Sequence, residues 1–103
     1  MGYEYDALVL LITEHKKLTR EKLIELNKNT FRAQHLNESL DYFLEGITQG
    51  NDVFLEFKNG EYCLREGADL KLIQKQCRLG AEIAFNNHGY KPSFWEGDVS
   101  LKK

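Results

Sequence analysis

Long apolar runs are missing from this chain: nowhere in its 103 residues do about 20 apolar residues follow one another, as a bilayer-spanning helix requires. The first residues also lack the basic start, apolar stretch and small-residue cleavage site of a secretory leader, so a soluble, cytoplasmic protein is expected. Cysteine is scarce. Cys63 falls in a strand-like run and Cys77 in a helical one, which matches neither a disulfide framework nor a zinc spacing, and two reduced, packed thiols are expected. Positive charge is not in excess, since 14 Lys and Arg face 16 Asp and Glu for a formal charge of −2. The strongly basic composition of many nucleic-acid binders is therefore absent, and any such contact must come from a local patch. Catalytic spacings are lacking as well. His15, His35 and His88 stand far apart, and there is no glycine-rich phosphate loop, His-Glu-x-x-His, Gly-x-Ser-x-Gly or Cys-x-x-Cys. The expectation is a protein that is not an enzyme and takes no metal or cofactor.

The pattern that is present fits one α+β domain, mainly α, because a chain of this length supports one compact core. Residues 6–15 hold the dense block Ala7-Leu-Val-Leu-Leu-Ile12, too apolar all round for a surface helix, and this helix is expected at the centre. Thr19 offers an N-cap to a short second helix carrying Leu23, Ile24 and Leu26 and ending near residues 27–29. A third helix is predicted over residues 30–49, where Ala33, Leu36, Leu40, Phe43, Leu44 and Ile47 share a face.

Residues 53–65 alternate like two strands around Asn59-Gly60, a dipeptide suited to a type I′ turn because both central residues need positive φ. The two-residue loop sets Lys58 opposite Glu61, Phe57 opposite Tyr62, Leu55 opposite Leu64 and Phe54 opposite Arg65. Val53, Leu55, Phe57, Tyr62 and Leu64 are then expected on the core face, with Phe54, Glu56, Lys58, Glu61, Cys63 and Arg65 on the wet face.

After the hairpin, Asp69 is a plausible N-cap for a helix running to about residue 87 and stopped by Gly89 and Pro92. One of its faces holds Leu70, Ile73, Cys77, Gly80, Ala81 and Ala84. A second holds Leu72, Leu79 and Ile83, which are the residues expected to dimerise two copies. The aromatic tail Tyr90-Lys-Pro-Ser-Phe-Trp95 is expected to fold back on the chain or to dock across such a dimer. The organisation is thus read as a domain over residues 1–66 and a helix with tail over 67–103, packed on that domain.

Three helices followed by an Asn-Gly hairpin ending in Glu61-Tyr-Cys-Leu-Arg65 resemble the winged helix-turn-helix superfamily over residues 5–66. The resemblance is one of pattern, without a diagnostic motif. It implies a third helix entering the DNA major groove by its N-terminal end and a wing lying along the backbone. Carried to this chain, it nominates Lys28, Thr30, Arg32, Gln34 and His35 near the start of the third helix, and Lys58 and Asn59 at the wing. Their chemistry suits DNA, because Arg and Gln reach base edges in bidentate fashion, while Lys and Thr suit phosphates.

An acidic stripe of Glu38, Asp41 and Glu45 runs beside that proposed surface. Residues 1–66 hold 8 Lys or Arg against 12 Asp or Glu, and residues 67–103 hold 6 against 4. Two functions stay open. One is a homodimeric, cytoplasmic DNA-binding protein active in transcription regulation or as an accessory factor on double-stranded DNA. The other is a winged-helix protein-protein interaction module, an adaptor or inhibitor that presents its acidic helix face.

Overall fold

The computed structural model describes residues 4–30 and 36–97, with the backbone alone at 36–38. Within them the chain is α+β and mainly helical: α1 (Glu4–His15), β1 (Lys17–Leu18), α2 (Arg20–Asn29), α3 (Leu36–Thr48), β2 (Leu55–Lys58), β3 (Glu61–Leu64), α4 (Leu70–Gln76) and α5 (Arg78–His88). The three strands form one antiparallel sheet in the order β1-β3-β2.

Helix α1 is the centre of the core, as its composition requires. Every side chain from Ala7 to Ile12 is fully buried, and α1 touches α2, α3, α5, β1 and β3. A helix surrounded this way has no solvent face to keep polar. It closes at Lys16, whose φ of 74° turns the chain while its N–H donates to the Ile12 carbonyl at 2.8 Å. The turn feeds β1, a strand that periodicity did not reveal. Two residues are too few to alternate visibly, and they are held by pairing Lys17 with Cys63 and Leu18 with Tyr62. Thr19 then caps α2, its hydroxyl accepting from the Lys22 N–H at 3.2 Å.

The hairpin register is the one that a two-residue loop dictates, Leu55 with Leu64, Phe57 with Tyr62 and Lys58 with Glu61. Asn59 and Gly60 both carry positive φ, 56° and 78°. The expected facing fails at its start. Val53 is 69% exposed and Phe54 is 2% exposed, the reverse of the alternation. The cause is Asp52: its Oδ2 accepts from the N–H groups of both Phe54 (3.0 Å) and Leu55 (2.8 Å), bending the chain ahead of the strand. Such an Asx turn breaks the period of two and rotates Phe54 into the core. Phe57, expected on the core face but next to the turn, is exposed as well.

Two helix boundaries also differ from expectation. Thr30 is the C-cap of α2 and not part of the third helix, its N–H donating to the Leu26 and Asn27 carbonyls. The described third helix begins at Leu36. The single helix expected over 69–87 is two, broken at Cys77 (φ −100°, ψ 17°). Asp69 caps α4 and Gly89 ends α5 as the residue types suggested. The break lets Ile73, Cys77, Gly80, Ala81 and Ala84 stay buried against the rest of the protein, while Leu70 turns outward, against expectation.

Gly80 brings α5 close to α1. A Cβ added there would fall less than 3 Å from the Cβ of Asp6, and the Gly80 N–H donates to Asp6 Oδ2 at 3.0 Å. The small-residue face is therefore used within the chain. The tail folds back, as its aromatic content suggested: Trp95 is 5% exposed, Ser93 donates from its N–H and its hydroxyl to the two oxygens of Glu14, and Gln74 exchanges two hydrogen bonds with the Glu96 backbone.

Candidate functional site

The end of α2, with its cap Thr30, and the β2–β3 turn carry those nominated residues that the structure describes. Lys28 is exposed in the last turn of α2, two residues before the Thr30 cap. Arg32, Gln34 and His35 lie outside the described residues. Lys58 and Asn59 are exposed at the hairpin tip, and Lys58 pairs with Glu56 on its own strand at 3.5 Å. Lys17 pairs with Glu61 across the sheet at 3.8 Å. The outer face of the sheet therefore alternates in sign and is not a basic strip. Cys63 sits among these charges, its thiol aimed at Glu56 and its pKa raised, first by burial and then by that carboxylate. A raised thiol pKa makes a poor nucleophile.

The outward side of α3 is acidic and aromatic. Asp41, Tyr42 and Glu45 are exposed, and no Lys or Arg occurs anywhere in Leu36–Thr48. The stripe is not uniform in space, because Arg20 at the start of α2 reaches Asp41 at 2.6 Å and compensates its charge. Glu45 keeps its charge, with one oxygen accepting from the Gln49 amide at 3.2 Å.

Helix α3 ends in a Schellman motif. Gly50, at φ 81°, donates from its N–H to Ile47 O, and the Asn51 N–H donates to Gly46 O at 2.9 Å. Between that last turn and the Asn51–Asp52 turn lies an open groove of about 480 Å³, bordered by Tyr42, Glu45, Gly46, Gln49 and Asn51. Its rim includes Asp52, whose carboxylate shares the Tyr5 hydroxyl between its two oxygens (2.8 and 2.9 Å) and takes the two backbone donors on Oδ2. Burial and this bond raise the Tyr5 phenol far above its ordinary pKa. Asp52 escaped the sequence reading, although an Asn-Asp pair just before a strand is the type of signal that marks an Asx turn.

Asp6 was missed too, and nothing local could have found it. It lies 74 positions from Gly80, and its carboxyl pKa is raised by desolvation, partly offset by the Gly80 N–H and the Cys77 thiol. The Cys77 thiol is raised in turn by burial and by Asp6. Neither thiol is in a disulfide.

The expected dimerisation residues divide. Leu79 is 55% exposed and Leu72 is also exposed, whereas Ile83 is half-buried. Among the described residues no group of His, Cys, Asp and Glu is placed to hold a metal ion, and no helix is long and apolar enough to cross a membrane. Compared with protein-family models, with curated proteins and with solved structures, the chain matches none.

Proposed function

We propose that the chain is a small winged-helix protein that binds double-stranded DNA as a homodimer, acting in the cytoplasm as a transcription regulator or accessory DNA-binding factor. The observation that carries this reading is the element order α1-β1-α2-α3-β2-β3 with a sheet ordered β1-β3-β2. In it a short strand after the first helix joins the hairpin, and α2 and α3 follow one another as a helix-turn-helix would. In such a frame the third helix enters the major groove by its N-terminal end. Lys28, Thr30, Arg32, Gln34 and His35 stand at that end in the chain, and Lys58 and Asn59 would meet the backbone. The Arg20–Asp41 pair lessens phosphate repulsion on the half of α3 nearest that end. Lys71, Lys75 or the terminal Lys102 and Lys103 would add backbone attraction from the basic C-terminal part, where Arg78 is paired with Glu82 at 2.6 Å. Pairing two copies through Leu72 and Leu79, with Ile83 beside them, would set two reading helices on two half-sites.

Titration of the protein into labelled mixed-sequence duplex tests the reading by fluorescence anisotropy at low and near-physiological salt. Binding that weakens steeply with salt is expected, since phosphate contacts release counterions. No binding at low salt refutes it. For the dimer, sedimentation velocity should show a shift to monomer in Leu72→Glu/Leu79→Glu.

A second reading, a protein-protein interaction module, is favoured by one specific observation. The exposed side of α3 carries Asp41, Tyr42 and Glu45 and no cation, a surface suited to a basic partner.

A further inference from the structure

We infer that the groove at the C-terminal end of α3 is a docking site for an arginine side chain on a protein partner. The inference rests on the protein-interaction reading and gives it a site. It is compatible with DNA at the other end of the same helix.

Gly46 is the first observation. It sits inside α3, where glycine weakens a helix, and its φ is not in the left-handed region. The Schellman motif needs its left-handed residue at Gly50, not here. No neighbour demands the absence of a side chain, because a Cβ built at Gly46 meets nothing within 4 Å. The fold gives no reason for this glycine. The groove does: Gly46 borders it, and a missing side chain leaves room there for a guest.

Tyr42 is the second. It is 79% exposed one turn before Gly46, with its ring set edge-on to Phe43 at a centroid distance of 5.8 Å. A tyrosine this exposed presents a π face to solvent, and a planar guanidinium stacks on such a face. Charge is the third. Glu45 and Asp52 border the groove with no Lys or Arg among its lining residues; Arg65 donates to the Asp52 carbonyl, so the Glu45 side of the groove carries the uncompensated charge. Asp52 is held by Tyr5, Phe54 and Leu55, with both backbone donors on Oδ2, and adds negative field to the groove. Among the described residues nothing donates to Glu45 Oε1, which leaves it as the acceptor for a guanidinium N–H. Phosphate is disfavoured by the same carboxylates, and a neutral apolar guest would forgo both the ring face and the charge. An arginine satisfies the ring and the carboxylate together and fits the space left at Gly46.

The experiment is an NMR titration of the 15N-labelled full chain with a blocked octapeptide of alternating arginine and glycine, and with its citrulline counterpart, which keeps shape and loses charge. Saturable shifts confined to amides 42–52, at least tenfold weaker with citrulline, are expected. Gly46→Leu, which fills the groove from a position with free space, and Glu45→Gln should each weaken binding at least tenfold while the remaining amides keep their positions. Saturable arginine-dependent shifts elsewhere, unchanged by Gly46→Leu, overturn the groove and leave the protein-interaction reading standing. No saturable shift anywhere on the chain overturns both.

Discussion

The same substitution, glycine to alanine, is expected to act with opposite sign at two helical positions. In a helix interior the exchange favours folding by about 1 kcal/mol, because alanine loses less backbone freedom and glycine brings no compensating contact. At Gly46 nothing opposes the gain, since the added Cβ has no neighbour within 4 Å. Gly46→Ala should therefore stabilise by about 1 kcal/mol, or roughly 4–8 °C in Tm for a domain of this size. At Gly80 the new Cβ falls under 3 Å from Asp6 Cβ, where ordinary contact begins near 3.4 Å, so α1 and α5 must part by about 1 Å. The obstacle is the first atom of a side chain on the central helix, and no rotamer moves it. Overpacking costs about 1–3 kcal/mol, and lengthening the Gly80 N–H bond to the Asp6 carboxylate adds about 1.5–3 kcal/mol. After the propensity gain, a net loss of about 1.5–5 kcal/mol remains for Gly80→Ala. Urea unfolding followed by the fluorescence of the only tryptophan, Trp95, reads both variants. A Gly80→Ala protein as stable as its parent would refute the close approach of α1 and α5. A Gly46→Ala protein that is destabilised would refute the open space at Gly46.

Asp52→Ala should cost about 2–4 kcal/mol, because the Tyr5 hydroxyl and the Phe54 and Leu55 amides lose their acceptor together, and hydrogen exchange at Leu55 should accelerate. Asp6 has a native carboxyl pKa above its ordinary value, so the native state holds that proton more tightly than the unfolded chain does. Its contribution is then largest in acid and is lost as pH rises out of the carboxylate range. Asp6→Asn keeps an acceptor for Gly80 and should remove that loss, so the stability difference, variant minus parent, should grow from about pH 4 upward. A difference that stays flat or falls would contradict the assignment. Burial pushes the Tyr90 phenol up to about 12 and the Tyr5 phenol higher still. Unfolded phenols ionise near pH 10, so stability should fall as pH rises from about 10. Absorbance at 295 nm should show these two tyrosines ionising only on unfolding. Trp95→Ala should cost about 3–4 kcal/mol, read from thermal melts by circular dichroism. A change below 1 kcal/mol would mean that the tail contributes no core.

Much of the secondary structure was legible because its signals are local. The Ala7–Ile12 block, the Thr19 and Asp69 caps and the Asn59-Gly60 turn each act within a few residues, and each stands where residue chemistry puts it. What escaped depends on contacts distant in sequence or on geometry without periodicity. β1 exists because Lys17 and Leu18 pair with a strand some 45 positions later. The inward turn of Phe54 follows from the Asp52 side chain bonding to backbone, which overrides strand alternation. The break at Cys77 is invisible to a hydrophobic pattern that continues through it, and the Asp6–Gly80 contact links two helices that no spacing connects. The nominated positions follow the same division. Lys28, Lys58 and Asn59 are exposed as a contact surface needs, and strand alternation already put Glu56 on the face of Lys58, where the two pair at 3.5 Å.

That spatial view also changes how the acidic stripe bears on both readings. In sequence, Asp41 and Glu45 are equivalent charges one turn apart, and together they argue against phosphate anywhere along α3. In space Arg20 covers Asp41 at 2.6 Å, whereas the nearest partner of Glu45 is a neutral amide. An exposed pair of this kind adds little stability, about 0–1 kcal/mol, but it converts a monopole into a short dipole whose field falls off faster with distance. The repulsion from Asp41 is thereby weakened, and Glu45 is left as an uncovered carboxylate beside Tyr42 and Gly46. The two readings then concern different ends of one helix and separate under mutation. Arg20→Ala should uncover Asp41 and weaken duplex binding severalfold at low salt, an effect that shrinks as screening rises, while leaving arginine-peptide affinity within twofold. Equal losses for both ligands would show instead that Arg20 supports the placement of α3 as a whole.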